Sequence, residues 1–259
     1  MPADFWVCIP ARLASSRLPN KVLQPIGKDP IIVHVVRAAL ESKASRIVLA
    51  FDDYSIADCV SATPDLKELQ RLHFVKTRQD HASGTDRLVE VATKLQAADN
   101  QIIVNLQGDE PRMPPSLLNE MAGLLEKRPR ASVATAACPI HLVSEWENSA
   151  AVKVVTNLQS EALYFSRAAI PVARDAADPS QPAAGALRHI GLYAYRSAAL
   201  KVYGQWSEGR LEQLERLEQL RWLENGHRIV VKTLSKAPPA GVDTAEDLER
   251  IRADWTGDL

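Results

Sequence analysis

Short apolar runs alternate with amphipathic segments through the first half of the chain. The apolar runs cover residues 5–10, 46–51, 73–77 and 102–104, a length typical of buried strands. Helical periodicity follows each of them, over residues 31–41, 55–62, 88–95 and 114–128. We expect Pro30 to open the first of these helices, and Thr85 or Asp86 to cap the third. The alternation predicts an α/β protein with a doubly wound, mostly parallel sheet.

The pattern changes in the second half of the chain. Residues 132–140, 152–156 and 162–166 are rich in β-forming side chains, with no helix of comparable length between them. We therefore expect antiparallel strands that form a lobe over the sheet. The predicted organisation is a single α/β domain, residues 1–259, with this antiparallel lobe inserted at about residues 132–210.

A long helix is predicted over residues 210–225, ended by Gly226 in the left-handed conformation. Its leucines recur at every third position, and this spacing drifts by about 60° per step on an α-helix. The helix should therefore be apolar around most of its circumference and lie between the sheet and a partner subunit. Glu218 falls inside the apolar arc, where a carboxylate needs a partner.

The apolar run at residues 102–104 leads into a small acidic turn, Gln107-Gly108-Asp109-Glu110. Ligands of open parallel sheets bind at the carboxyl ends of the strands. Asp243 also follows an apolar segment, and Mg²⁺ prefers a few carboxylates with phosphate oxygens completing its shell. Asp109 and Asp243 are therefore candidate ligands of Mg²⁺ on a nucleotide triphosphate. Asp109 and Glu110 could instead cap the next helix or solvate the turn, and Asp243 could be an N-cap.

Three cations, Arg12, Arg17 and Lys21, lie in one loop after the first predicted strand. Guanidinium groups, an ammonium group and loop N–H groups are donors suited to a triphosphate. The loop lacks the two glycines and the Gly-Lys-Ser/Thr ending of a Walker motif. Solvated surface cations are the alternative interpretation.

Two further polar clusters are candidates for ligand binding. The first, at a strand-to-helix junction, consists of His81, Ser83, Gly84 and Thr85. A helix N-terminus there would favour an anionic ligand. The alternative interpretation is a plain turn followed by a helix cap. The second consists of Arg167, Arg174, Arg188 and His189, which would suit an anionic co-substrate. The alternative is that the arginines are simply solvated, as exposed arginines usually are. His189 could equally be a hydrogen-bonded core histidine.

Composition narrows the functional classes. The formal net charge of −1 argues against binding nucleic acid through bulk electrostatics. Cys8, Cys59 and Cys138 are scattered, so we expect reduced cysteines with no zinc site and no disulfide framework. No run approaches the roughly 18 apolar residues of a membrane span, and no signal peptide is recognisable, so we expect a cytoplasmic protein without a membrane partner. The motifs of serine hydrolases, zinc proteases and dinucleotide-binding dehydrogenases are missing from the sequence.

Seven blocks, in order from about residue 5 to residue 252, together resemble the 3-deoxy-manno-octulosonate cytidylyltransferases, the CMP-Kdo synthetases of lipopolysaccharide biosynthesis. The blocks are Pro10-Ala11-Arg12 with Ser16 to Pro19 and Lys21, Asp80-His81 with Ser83 to Arg87, Gln107 to Pro111, Ala162 to Arg167, Arg188 to Tyr193, Leu217 to Arg221, and Gly241 to Thr244.

This resemblance implies a fold like that of the nucleotide-diphospho-sugar transferases. It also implies a homodimeric enzyme that uses Mg²⁺ to transfer CMP from CTP to the anomeric hydroxyl of 3-deoxy-D-manno-octulosonate (Kdo), releasing pyrophosphate. The inserted lobe would serve dimerisation and sugar binding.

By similarity, the residues take four roles. Those acting in catalysis are Asp109, Lys21 and Arg12, and those binding the nucleotide are Arg12, Lys21, Arg78, Ser83, Gln107 and Asp109. The metal would be held by Asp109 and Asp243, and the acid sugar by Arg167, His189, Tyr193, Glu218 and Gln219. A place in the sugar pocket would explain a carboxylate on an apolar helix face.

The chain departs from the family pattern in its phosphate loop. Family members commonly have Gly where this chain has Asn20, and Gly-Lys-Pro where it has Gly27-Lys28-Asp29-Pro30. Because Asn tolerates the left-handed conformation, we expect the loop to survive. Two alternatives stay open: a cytidylyltransferase for another acid sugar, such as 8-amino-Kdo or sialic acid, and a non-catalytic nucleotide-binding scaffold.

Overall fold

A computed structural model describes residues 4–15, 17–66, 69–81, 83–174, 181–182 and 185–255. The strands are β1 (Phe5–Ala11), β2 (Pro25–Ile26), β3 (Asp29–Pro30), β4 (Arg46–Phe51), β5 (Leu72–Lys76), β6 (Ile102–Asn105), β7 (Val133–Pro139), β8 (Lys153–Thr156), β9 (Ala162–Ser166), β10 (Leu187–Arg196) and β11 (Ile229–Thr233). The helices are α1 (Ile31–Leu40), α2 (Tyr54–Ser61), α3 (Gly84–Lys94), α4 (Pro115–Glu126), α5 (Val143–Glu147), α6 (Ser197–Tyr203), α7 (Arg210–Glu215), α8 (Gln219–Glu224) and α9 (Ala245–Ala253), with a 3₁₀ turn at Lys21–Leu23.

The main sheet has the strand order β11-β7-β10-β6-β1-β4-β5. β1 pairs in parallel with both β4 and β6, β4 pairs in parallel with β5, and β11 pairs in parallel with β7. β10 runs antiparallel to β6, β7 and β8, and β8 pairs antiparallel with β9. The predicted fold class, a doubly wound sheet with antiparallel additions in the second half, is confirmed.

The boundaries of the inserted lobe stay a prediction. β7 and β10, which lie in that stretch, belong to the main sheet, whereas β8 and β9 branch from it through β10.

Both faces of the sheet are covered, as expected where parallel strands are joined by helices. Val7 and Ile9 of β1 face the core on the side of α1, α2, α4 and α9. The alternate residues Trp6 and Cys8 face the opposite core, which contains residues of α3, α6 and α8. This double burial places the ends of β1 and β6 side by side in the middle of the sheet. Within the described residues, no helix has the length and apolarity needed to cross a bilayer.

Helix α3 begins one turn earlier than the pattern predicts, so neither Thr85 nor Asp86 is its N-cap. Ser83 is the N-cap, because its side chain accepts from the N–H of Asp86 and the Asp86 side chain accepts from the N–H of Ser83. The same reciprocal pair, Thr244 with Asp247, begins α9 as predicted.

The prediction of one long helix over residues 210–225 is wrong. The chain forms two short helices, α7 and α8, because Arg216 adopts a left-handed conformation with φ of 53°. This break resolves the drift of the leucine repeat, since Leu217 and Leu220 both turn into one core while Leu214 is left 71% exposed. Gly226 has a positive φ of 76° just after α8, as predicted for the end of the segment.

Contacts from β9 hold the break between α7 and α8. The carboxylate of Glu215 accepts from the hydroxyl of Ser166 at 2.6 Å and from the N–H of Arg167 at 2.9 Å. In return, Nε of Arg167 donates to the carbonyl oxygen of Glu215 at 2.8 Å. A buried ion pair with two hydrogen bonds, between Glu212 of α7 and Arg221 of α8, connects the two helices.

The loop between β1 and the 3₁₀ turn contains a residue in the left-handed conformation, at the position where the sequence has Asn20. Asn20 has φ of 51° and ψ of 36°, directly before the 3₁₀ turn that carries Lys21. Asn is one of the few residues other than Gly that adopts this conformation at low cost. Asn20 therefore adopts at low cost a backbone conformation that glycine also favours.

We predict that Glu215→Ala lowers the free energy of unfolding by about 1–3 kcal/mol, because the hydroxyl of Ser166 and the N–H of Arg167 lose their acceptor. Urea unfolding followed by circular dichroism measures the change. The control is Gln213→Ala on the exposed side of α7, which should stay within about 0.5 kcal/mol of the unmodified protein. Equal stabilities of the two variants would show that Glu215 does not hold the break.

We predict that Asn20→Gly is tolerated, whereas Asn20→Val destabilises the protein by about 1–2 kcal/mol, because a β-branched side chain is strained at positive φ. The same unfolding measurement applies. Asn100→Val is the matched control, since Asn100 is equally exposed but is not among the residues with positive φ. A loss at Asn100 as large as that at Asn20 would remove the conformational explanation.

Candidate active site

Two loops and one helix N-terminus meet at the carboxyl ends of β1 and β6. Because these strands are parallel neighbours, the loops that leave them lie side by side at one edge of the sheet. They enclose a cavity of about 150 Å³ together with the start of α3. Its lining includes Arg12, Lys21, Ser83, Gly84, Arg87, Gln107, Gly108 and Asp109.

Two glycines let these segments pack closely. A Cβ at Gly108 would lie 2.9 Å from the carbonyl oxygen of Pro10, closer than side-chain atoms approach backbone. A Cβ at Gly84 would lie 3.1 Å from Nε2 of Gln107. The cavity floor therefore requires glycine at residue 108 and leaves little room at residue 84.

The ammonium of Lys21 lies between two carboxylates. Its Nζ contacts Oδ2 of Asp109 in a short ion pair and lies 3.1 Å from Oδ1 of Asp243. Arg17 also reaches Oδ1 of Asp243, at 3.0 Å. Burial alone would lower the pKa of Lys21, but Asp109 and Asp243 outweigh it, so the pKa is raised above its ordinary value. Lys21 is therefore fully charged at neutral pH.

Asp243 reaches this point because its segment is bound to the acidic turn. The N–H of Val242 donates to the carbonyl oxygen of Asp109 at 2.9 Å. Gly241 makes the approach possible, since a Cβ there would lie 2.9 Å from the same oxygen. The fold thus brings together the two carboxylates that the sequence leaves far apart.

A buried ion pair supports the loop after β1. Arg87 of α3 donates to Oδ2 of Asp52 at 3.4 Å, and the other carboxylate oxygen of Asp52 accepts from the N–H of Leu13 at 2.9 Å. Arg87 also donates to the hydroxyl of Thr77. The site predictions omitted both charged residues. The signal that could have found Arg87 is its position four residues before the core residue Val91, on the apolar face of α3.

Arg78 lies outside the Lys21 cavity. Its side chain is 69% exposed and pairs with Asp80 at 3.1 Å, in a groove along α3. His81 borders both this groove and the Lys21 cavity. A role of Arg78 in nucleotide binding stays a prediction.

His189 and Tyr193 lie on β10, in and near the core. Nε2 of His189 is 2.9 Å from Oγ1 of Thr135, and burial lowers the pKa of His189 to about 3. The imidazole is therefore neutral at physiological pH. Tyr193 is 5% exposed, and its ring packs against His189 with centroids 5.3 Å apart.

Glu218 lies behind the N-terminus of α3. Its Oε1 accepts from Oγ1 of Thr85 at 3.0 Å, which supplies the partner that the sequence demanded. Burial raises the pKa of this carboxyl, and among the described residues Oε2 has no partner. Glu218 lines a cavity of about 190 Å³ together with Ser83, while Gln219 is buried beside it.

The guanidinium of Arg167 donates hydrogen bonds to backbone carbonyl groups of the protein. Besides the bond to Glu215, Nη1 donates to the carbonyl of Ser149 at 3.0 Å and Nη2 to that of Arg216 at 3.3 Å. In this conformation the guanidinium holds the α7–α8 break. The predicted sugar-binding residues are therefore divided between the β10 side, the α3 side and this junction, and their role stays a prediction.

Glu110 is the residue of the acidic turn to which the sequence assigns no role. Burial, and then the negative charge of Asp109, raise the pKa of Glu110 to about 8. Its Oε2 has no hydrogen-bond partner within the part of the chain described. A buried polar atom of this kind needs a ligand or water partner.

Known proteins resemble the chain over almost its entire length. The cytidylyltransferase family model matches residues 6–229. The 3-deoxy-manno-octulosonate cytidylyltransferase of Methylococcus capsulatus is 46% identical over 261 residues, covering 99% of each chain. The enzyme of that name from Polynucleobacter asymbioticus is 46% identical over 250 residues, covering 96% of this chain and 94% of the relative.

Solved structures agree with these sequence relatives. A CMP:2-keto-3-deoxy-manno-octonic acid synthetase complexed with CTP superimposes with a TM-score of 0.88 at 39% identity, covering 99% of this chain and 100% of the other. A cytidylyltransferase from Leptospira borgpetersenii shares the fold, with a TM-score of 0.57 at 16% identity over 97% of this chain and 86% of the other. On the family match, the high identity and the shared fold, the chain belongs to the cytidylyltransferase family.

Proposed function

We propose that this protein transfers CMP from CTP to the anomeric hydroxyl of Kdo, forming CMP-Kdo and pyrophosphate for lipopolysaccharide biosynthesis. The observation that carries the proposal is the meeting of Lys21, Asp109 and Asp243 in the cavity at the ends of β1 and β6. The relatives that are 46% identical along nearly the whole chain carry the name of this activity.

The cationic half of the cavity suits a nucleoside triphosphate. Arg12 and Lys21 supply charge for the phosphates, and Gln107 and Ser83, which line the same cavity, would contact the nucleoside. The N-terminus of α3 lies beside Ser83 and favours negative charge. Arg78 would have to move from Asp80 to reach the same ligand.

The donor set fits Mg²⁺. Asp109 and Asp243 already hold one positive charge, the ammonium of Lys21, between them. Both provide hard carboxylate oxygens, the ligands that Mg²⁺ prefers, and a triphosphate provides the remaining oxygens. Among the described residues, no three His, Cys, Asp or Glu side chains form a group that could hold a metal ion. When bound, the ion would neutralise phosphate charge and lower the pKa of a coordinated hydroxyl.

The chemistry depends on positioning. The anomeric oxygen of the sugar forms a bond to the α-phosphorus and loses its proton, while the bond from that phosphorus to the bridging oxygen breaks and pyrophosphate leaves. Arg12 and Lys21 would stabilise the negative charge on the leaving group. Lys21 cannot rotate freely, because two carboxylates hold its ammonium. The rigid floor at Gly108 fixes the attacking geometry.

The acid sugar would bind on the side of β10 and α8. Tyr193 and the neutral imidazole of His189 offer hydrogen bonds without net charge, and Glu218 with Gln219 border the start of α3. Arg167 would contact the sugar carboxylate only after release from the carbonyl groups that it now holds.

We also propose a homodimer that works in the cytoplasm, where CTP is made. Leu214 of α7 and Leu163 of β9 are 71% and 61% exposed, and apolar side chains of this size are typical of subunit contacts. Sedimentation equilibrium of the purified protein would measure the subunit number.

The activity predicts pyrophosphate release that requires both CTP and Kdo. Equal concentrations of Kdo, 8-amino-Kdo and sialic acid are compared in a coupled phosphate assay with Mg²⁺. We expect the highest kcat/KM with Kdo, and loss of activity when EDTA removes the metal. Preference for another sugar would replace the substrate assignment. If none of the three acid sugars supports pyrophosphate release, a non-catalytic scaffold would be favoured.

We predict that Asp109→Asn lowers kcat by about 100-fold or more, because a charged ligand of the metal and the partner of Lys21 are lost together. CTP binding, measured by calorimetry, should be retained in part, since Arg12 and Gln107 remain. Asp99→Asn is the control, because Asp99 is an exposed partner of Lys201 outside the cavity. Near-normal turnover of Asp109→Asn would refute the assignment.

A further inference from the structure

Another cavity is lined by Glu110 of the acidic turn. It measures about 520 Å³ and lies between the turn, the start of β10 and the segment before Asp243. Its lining includes Glu110, Asn148, Arg188, His189, Gly191 and Gly241. Glu110 is adjacent to Asp109 in the chain, so the cavity adjoins the proposed reaction centre.

Two residues of this lining, Glu110 and Arg188, carry buried polar atoms of opposite type. Among the described residues, neither Oε2 of Glu110 nor Nε of Arg188 has a hydrogen-bond partner. Buried polar groups are rarely left in this state, because each lost hydrogen bond costs about 1–3 kcal/mol. One group accepts a hydrogen bond and the other donates one. A hydroxyl group can both donate and accept, so a ligand with several hydroxyls would satisfy both.

The charges around the cavity argue against an anionic occupant. Nη1 of Arg188 is paired with Oε1 of Glu145 at 3.0 Å, which neutralises the guanidinium. Glu110 directly follows Asp109 in the chain, and Gly241 of the lining lies two residues before Asp243. A carboxylate placed here would lie beside the carboxyl group of Glu110 and would meet no unpaired cation among the residues of this lining. A neutral ligand surface therefore fits the cavity better than an acidic one.

We propose that this cavity binds the neutral, hydroxylated tail of the acceptor sugar, with Glu110 and Arg188 as specificity-determining residues. The inference rests on the proposed function and deepens it. The tail hydroxyls donate to the carboxyl of Glu110 and accept from Nε–H of Arg188. The sugar carboxylate is directed away, and the sugar is thereby selected by its length.

The test compares Kdo with a six-carbon 2-keto-3-deoxy acid, which keeps the carboxylate and the anomeric hydroxyl but lacks the hydroxylated tail. The dissociation constant of each acid is measured by calorimetry, and kcat/KM with CTP by pyrophosphate release. We expect the unmodified enzyme to prefer Kdo by about 10-fold or more. Glu110→Met and Arg188→Met should each reduce this preference by about 3- to 10-fold while KM for CTP changes little.

Matched variants separate hydrogen bonding from a general disturbance. Glu110→Gln keeps an acceptor and should lose less of the preference than Glu110→Met. Glu120 of α4 pairs with Lys232 of β11 and does not line this cavity. Glu120→Gln should therefore leave the preference unchanged. An unchanged ratio between the two acids in both methionine variants overturns the inference, as does a parallel loss of CTP affinity.

A cavity-filling variant tests the same site without removing a polar group. A Cβ at Gly191 would meet no other atom within 4 Å, so Gly191→Val is expected to fold. The added methyl groups should weaken Kdo binding by more than they weaken binding of the six-carbon acid. Equal effects on both acids would contradict a tail site. If the unmodified enzyme releases no pyrophosphate with Kdo, the proposed function itself fails, a result that is distinct from a failure of this inference.

Discussion

The ammonium of Lys21 between the carboxylates of Asp109 and Asp243 is the interaction on which the site depends. Two ionised carboxylates repel at short range, and a cation between them offsets this repulsion. Lys21 performs this role in the protein as described here, and its raised pKa shows that the two carboxylates outweigh its desolvation. The same arrangement prepares the site for phosphates, since cationic donors and carboxylates are already held in place before a nucleotide arrives.

This ion cluster in turn depends on backbone contacts that tolerate few side chains. Val242 is hydrogen-bonded to the carbonyl of Asp109, and Gly241 and Gly108 allow the three segments to touch. Arg87 and Asp52 support the loop of Lys21 from below with a buried ion pair. Removal of one partner of such a pair leaves an uncompensated buried charge, which is strongly destabilising. The geometry of the cavity is therefore built into the core of the sheet.

The sequence predicted the features that have a local cause. Strand and helix alternation, the Thr244–Asp247 cap and the left-handed Asn20 depend on neighbouring residues, and the structure contains all three. The break at Arg216 could not be predicted, because its advantage appears only when Leu217 and Leu220 meet a core formed by distant strands. The contacts of Arg167 were hidden for the same reason. Its acceptors include carbonyl groups of Ser149 and Arg216, which no motif encodes.

The two halves of the site differ in how they can discriminate between ligands. The nucleotide half presents charged donors on loops after parallel strands, so it recognises phosphate, a group common to every nucleoside triphosphate. The proposed sugar half lies on antiparallel β10 and the segment before Asp243, where His189 is neutral and Arg188 is paired with Glu145. The carboxylate cannot distinguish one acid sugar from another there, because all of them carry it. Selection among them must therefore come from the groups of the tail, and an unsatisfied buried donor or acceptor is a penalty that the protein can impose on a wrong sugar.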